Sequence, residues 1–218
     1  MKTFGNIYLA WRTGKGCPRH IVGVIKKKKD AEGFDFRYLI TPERASQINF
    51  THYLPFSDLS KIYTENILEI FGLRLTKPER GDIQKYYDFW EIEPRYKEDS
   101  RYLLAHTQGL LAADNFEFLA DYHPTKKLSF ISEICGLLHY PVSPELFIVD
   151  DLLQWQKSPH EEDRYTVKVF KGDVFLGYVK RIHSKVFYKK GGESLKIRVK
   201  SIDKNGIVNR VFIKIYMQ

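Results

Sequence analysis

Only two cysteines, Cys17 and Cys135, occur in 218 residues. A disulfide framework needs more, and two distant thiols do not make a structural zinc site. Cys17-Pro18-Arg19-His20 offers two ligand atoms without a partner pair, so a loop thiol beside a strand is the expected role there. Runs of about 18 apolar residues are also missing, which argues against a transmembrane helix. Residues 1–12, MKTFGNIYLAWR, lack the apolar stretch of a secretory signal. The expectation is a reducing, cytoplasmic setting with no membrane partner. The chain also has no GxxxxGK[ST] loop, no GxGxxG turn, no GxSxG elbow and no HExxH helix. No lysine has Asp or Glu two residues before it, which removes the carboxylate–lysine pair of restriction-type metal-dependent nucleases. His160-Glu161-Glu162-Asp163 is the densest polar cluster. It could hold a cation through several oxygens, but nothing nearby completes a ligand set, so a solvated loop is expected. Tyr86-Tyr87 with Phe89-Trp90 falls at helical spacing and is expected to be helix core. No enzyme activity, cofactor or metal site is therefore expected.

The chain does have positive charge, and it is concentrated at one end. Between Arg164 and Gln218, 14 Lys and Arg stand against Asp173, Glu193 and Asp203, a net of +11 in a chain whose total is +8. The tail alternates strictly in Ser194-Leu195-Lys196-Ile197-Arg198-Val199-Lys200 and in Arg210-Val211-Phe212-Ile213-Lys214-Ile215-Tyr216. Successive strand side chains point to opposite faces. One face of this hairpin thus carries Leu195, Ile197, Val199, Val211, Ile213 and Ile215. The other carries Lys196, Arg198, Lys200, Arg210, Phe212, Lys214 and Tyr216. Cations neutralise phosphates and aromatics stack on bases, so this face suits single-stranded nucleic acid. It equally suits a solvated face whose cations deter edge pairing. The run at residues 26–29, ending at Asp30, has the same two readings on a smaller scale. Aromatics at 15% favour β-rich packing, and a pI near 9.3 suits a polyanionic partner.

Residues 5–11, 20–28 and 34–40 read as strands, the first two joined by the turn Thr13-Gly14-Lys15-Gly16. Residues 42–49 read as a short helix capped by Thr41. Residues 59–73 read as a longer helix capped by Ser57 or Asp58. Pro78 opens a helix that runs to about Trp90. Residues 91–100 form a proline-broken loop, while 101–106 and 115–122 read as extended. The best boundary is His123-Pro124-Thr125-Lys126-Lys127. Beyond it, strands are expected at 128–138, 152–156, 165–170, 174–179, 195–202 and 208–216. Turns follow at Lys171-Gly172-Asp173 and Asp203-Lys204-Asn205-Gly206, and a helical insertion at 183–189. The fold class is α+β: an N-terminal module of residues 1–122, with a small sheet and two to three helices, then a six-stranded, partly open β-barrel at 128–218.

The order of pieces in residues 128–217 resembles the HIRAN domain. The pieces are Gly136-Leu137-Leu138-His139-Tyr140, the apolar strand at 152–156, the polar loop at 158–163, Tyr165-Thr166-Val167-Lys168-Val169, and Phe175-Leu176-Gly177-Tyr178-Val179-Lys180-Arg181. The resemblance implies recognition of single-stranded DNA, in some members a free 3′ end, by a module appended to helicases or nucleases. It implies that His139 and Tyr140 occupy the opening strand where members place an Arg and aromatics, with Leu138 where an Arg is common. Asp163 would meet a terminal hydroxyl, and Glu162 stands where a stacking aromatic can be. Lys180 and Arg181 keep the basic step after Gly177. With the hairpin, the phosphate contacts would be Lys168, Lys180, Arg181, Lys196, Arg198, Lys200, Arg210 and Lys214. The stacking residues would be Tyr140, Tyr178, Phe212 and Tyr216. Residues 1–122 are similar to the N-terminal subdomain of HipA-like kinases through Ile7–Leu9, Val22-Gly23-Val24, Phe36-Arg37-Tyr38 and Tyr63–Leu75, with no kinase half following. The two-part arrangement resembles bacterial proteins with a HIRAN tail. An alternative function is a regulatory subunit docking on a kinase-like toxin, a helicase or a nuclease, using the acidic stretch 150–163 and the N-terminal sheet.

Overall fold

The computed structural model describes residues 3–14, 16–29, 31–140, 142–205 and 207–218. Lys15 and Gly206 of the predicted turns, and Asp30 after the lysine run, lie outside the described residues. The chain divides into two compact units: Gly5–Ala120, and Asp121–Gln218 together with the opening residues through Phe4. Its class is α+β, with one open sheet and one barrel. Among the described residues no helix is long and apolar enough to cross a membrane.

The open sheet contains β1 (Phe4–Trp11), β2 (His20–Lys27), β3 (Phe34–Tyr38), β4 (Ile62–Tyr63) and β5 (Phe116–Tyr122), in the order β4-β3-β2-β1-β5. Phe36 lies at the middle of β3, fully buried, with the rings of Tyr38, Phe56 and Phe71 at 5.0–5.1 Å. Gly23 is required here, because any Cβ at that position would run into the Phe36 ring. Four short α-helices accompany the sheet among the described residues: α1 (Pro42–Gln47), α2 (Ile67–Gly72), α3 (Ile83–Trp90) and α4 (Ser100–Thr107). Thr41 caps α1 as expected, its Oγ1 accepting from the Arg44 N–H at 3.3 Å. Tyr87 and Trp90 are buried on α3.

Three predicted elements change. The helix expected to open at Pro78 begins only at Ile83, and Pro78 lies in a turn ahead of it. The helix expected over 59–73 shrinks to α2. Asp58 accepts from the Ser60 N–H at 2.8 Å instead of capping a helix, and Tyr63 pairs with Phe36 as edge strand. Residues 101–106, expected as extended, are helical because Asp99 caps them, accepting from the Tyr102 N–H at 2.9 Å. Every residue from Tyr102 to Thr107 is buried, so the segment shows no polar face to betray a helical period.

The barrel strands are β6 (Ser129–Cys135), β7 (Leu152–Lys157), β8 (Val167–Lys171), β9 (Val174–Val179), β10 (Leu195–Asn205) and β11 (Ile207–Met217). They form a closed ring in the order β10-β11-β6-β9-β8-β7, where sequence suggested a partly open one. The closing seam pairs Ile197 with Leu153 and Arg198 with Leu152. The Trp155 indole N–H reinforces it, donating to the Leu195 carbonyl at 2.9 Å. Leu195, Ile197, Val199, Val211, Ile213 and Ile215 line the interior, nearly or wholly inaccessible to water. The helical insertion is a 3-10 segment, His183–Tyr188, that buries Val186 and Phe187.

Candidate functional site

The outward face of the β10–β11 hairpin forms a ladder. Lys196 faces Tyr216, Arg198 faces Lys214, Ser201 faces Phe212 and Asp203 faces Arg210. An irregularity at Lys200 shifts the register between Val199 and Ser201 without turning the ladder inward. Placing Arg198 directly across from Lys214 opposes like charges, an arrangement that destabilises a sheet. Arg198 donates to the Asp150 backbone carbonyl at 2.9 Å, and the neighbouring Tyr216 phenol, with a smaller contribution from the Asp150 carboxylate, raises its pKa above the ordinary value. The Lys214 ammonium lies 5.5 Å from the centre of the Tyr216 ring, and the Arg210 guanidinium 5.3 Å from that of Phe212. Cation and ring thus alternate along β11 within cation–π distance of each other. Toward its far end the charge is balanced: Arg210 faces Asp203 and reaches Glu133 at 3.4 Å.

A second cluster occupies the outward face of β8 and β9 and the segment before β7. The Phe175 ring lies 4.9 Å from Tyr140, 5.1 Å from Tyr178 and 5.6 Å from Phe170. Tyr140 is 43% exposed, and the other three rings are half-buried. The Tyr140 and Tyr178 rings approach Gly136, where an added Cβ would sit at 3.4–3.6 Å from them. Burial and a hydrogen bond with Tyr140 raise the pKa of the Tyr178 phenol. Lys168 faces Tyr178 across the strands, its ammonium 6.0 Å from the Phe175 ring centre.

Phe170 and Phe175 were not among the expected site residues. Phe175 and Tyr178 are three apart, which puts them on opposite faces of a regular strand. A register shift in the β8–β9 pairing returns both to the outside: Lys168 faces Tyr178, while Phe170 faces Phe175. Gly177 provides the shift with φ +137°, a conformation side chains resist, and a Cβ there would strike the Cys135 carbonyl. A glycine between two aromatics in a strand was the available signal.

The remaining expected residues are dispersed. Lys180 is only 1% exposed and pairs with Glu133 at 3.2 Å, so it does not stand on the surface as a phosphate contact. Asp163 braces its own loop, accepting from the Tyr165 N–H at 2.9 Å and facing the Arg181 Nε at 3.3 Å. Arg181 also donates to the Glu162 carbonyl at 3.0 Å. These bonds join Asp163 and Arg181 to each other rather than to either cluster. His139 and Tyr140 lie in the turn after β6 and not on the opening strand as expected, because β6 ends at Cys135 and both backbone N–H groups donate to the Gly136 carbonyl, at 2.9 and 3.0 Å; His139 is exposed. Among the described residues no group of three His, Cys, Asp or Glu could hold a metal ion. The single face expected from sequence is therefore two: a basic-aromatic ladder on β10–β11, and an aromatic cluster with Lys168 on β8–β9. No protein-family model, curated protein or solved structure matches the chain.

Proposed function

We propose that the chain is a non-enzymatic nucleic-acid-binding protein whose barrel, a HIRAN-like module beside a HipA-subdomain-like unit, takes single-stranded DNA. The observation that carries this reading is Arg198 standing directly opposite Lys214, with Tyr216 and Phe212 as neighbours on the same face. A face kept only for solubility gains by alternating sign, whereas opposed cations cost stability. A phosphate between them relieves that cost and releases the counterions it carried. The adjacent rings give bases a stacking surface that tolerates any sequence. The carboxylate of Asp163 is already engaged with Tyr165 and Arg181, which favours a strand over a strand end as ligand. Fluorescence anisotropy with single-stranded oligonucleotides at several salt concentrations tests the reading. Affinity falling steeply with salt is expected, and no binding even at low salt overturns it.

A second reading has its own observation. Ile148, Val149 and Leu152 are exposed beside the ladder, between 50% and 56%. That apolar rim supports docking on a protein partner such as a helicase, a nuclease or a kinase-like toxin. Stoichiometric pull-down of one such partner by a chain without DNA affinity favours this second reading.

A further inference from the structure

In a closed ring ordered β10-β11-β6-β9-β8-β7, β10 stands three strands from β9 and β11 three from β8. The two hairpins are thus across the barrel from each other, and their outward side chains leave it in opposite directions. The side chains that the strands between them turn outward along their length are not basic. On one side β7 turns outward Leu152, Gln154 and Gln156, the partners of Arg198, Phe170 and Lys168. On the other side β6 turns outward Ser129, Ile131 and Glu133, the partners of Tyr216, Lys214 and Phe212, and Ile131 and Glu133 are buried. Among the described residues the exposed cation of β7, Lys157, sits at the strand's far end opposite Val167 with its ammonium over the Tyr188 ring, so a phosphate backbone leaving the ladder meets no outward row of cations along either strand.

The chemistry of the two faces also differs. The ladder holds Lys196, Arg198 and Lys214, suited to phosphates. The opposite face holds four aromatic rings and Lys168, suited to unstacked bases. We infer that one barrel holds two single-stranded segments at once, the first by its backbone on β10–β11 and the second by its bases on β8–β9. The protein is then a bridge between strands. This rests on the nucleic-acid reading above.

Native mass spectrometry of the full chain with two non-complementary oligonucleotides of about eight nucleotides and different mass tests it. The expected species is one protein with two oligonucleotides. The Arg198→Ala/Lys214→Ala variant and the Tyr140→Ala/Lys168→Ala variant are each expected to keep one oligonucleotide and lose the other. Each should also reduce at least tenfold the retention of a fluorescent oligonucleotide on beads bearing the second one. A species that saturates at one oligonucleotide, with both variants weakening that same contact, means a single strand wraps the barrel and overturns the bridge while leaving the binding reading intact. Co-retention only by complexes with two proteins overturns the bridge in favour of protein self-association. No complex of any kind overturns both readings.

Discussion

Arg74 and Arg198 are arginines set among aromatic rings, one in each unit, and they end in opposite circumstances. Arg74 is 6% exposed. It grips Asp114 through both terminal nitrogens at 2.5 and 2.8 Å and donates to the carbonyls of Gly109 at 2.9 Å and Phe116 at 3.3 Å. The rings of Tyr53, Phe116 and Phe118 surround it at 5.7–6.0 Å. Its charge is spent inside the unit. Arg198 faces a lysine, donates to a backbone carbonyl, and feels the Asp150 carboxylate only as a minor charge beside an exposed side chain. Basic and aromatic residues together therefore do not mark a binding surface. The mark is that combination on an outward face where one cation stands across the strands from another. Lys180 makes the same point within the barrel, since Glu133 removes it from the set of candidates.

Breaking the buried side of this comparison should have the largest effect. Arg74→Ala strands the Asp114 carboxylate and two carbonyls. It should cost about 3 kcal/mol of stability in urea unfolding, the low end for a broken buried pair because Asp114 still meets water, and should leave oligonucleotide binding unchanged. His106, in the same unit, is a cation-capable ring whose burial lowers its pKa from 6.5 to about 3. The folded chain keeps it neutral while the unfolded chain protonates it below pH 6.5. Its stabilising contribution is complete above that value and is lost as pH falls. Between pH 6.5 and 5 the loss should be about 2 kcal/mol, read from urea midpoints, and His106→Phe should flatten the slope.

The exposed side should respond in binding instead. Tyr216→Ala should weaken oligonucleotide binding by about 1–3 kcal/mol, the value of one stacked base, with an unfolding midpoint close to wild type. The smallest effect is the most diagnostic in sign. Lys214→Glu turns an opposed like-charge pair into an attractive one and should stabilise the barrel by about 0.2–1 kcal/mol in thermal unfolding. The same change should weaken nucleic-acid binding. A stabilising substitution that also strengthens or spares binding would assign the ladder to solubility.

The barrel strands were legible because their alternation and turn residues are local signals, and β9 begins and ends at its predicted residues, Val174–Val179. The N-terminal unit was less so. Its α4 is buried on all sides, and its expected 59–73 helix gave way to a cross-strand contact between Tyr63 and Phe36 that no local window contains. The inward and outward faces followed from parity along β11 and on β10 as far as Val199, beyond which the irregularity at Lys200 sets Ser201 opposite Phe212. Parity failed at β9, where Gly177 allows a shift that brings Phe175 out beside Tyr178. It also said nothing of what covers Lys180. The division into two opposed faces depends on β6 lying between β11 and β9 and on β7 closing the ring, an order set by long-range pairing.

The most direct test of the central claim is the salt dependence of single-stranded oligonucleotide affinity for Arg198→Ala/Lys214→Ala against the unaltered chain. The slope of log affinity against log salt should fall by about two units, one for each cation removed, while the barrel's unfolding midpoint holds or rises. An unchanged slope, with affinity intact, would contradict the assignment of the β10–β11 ladder to phosphate binding.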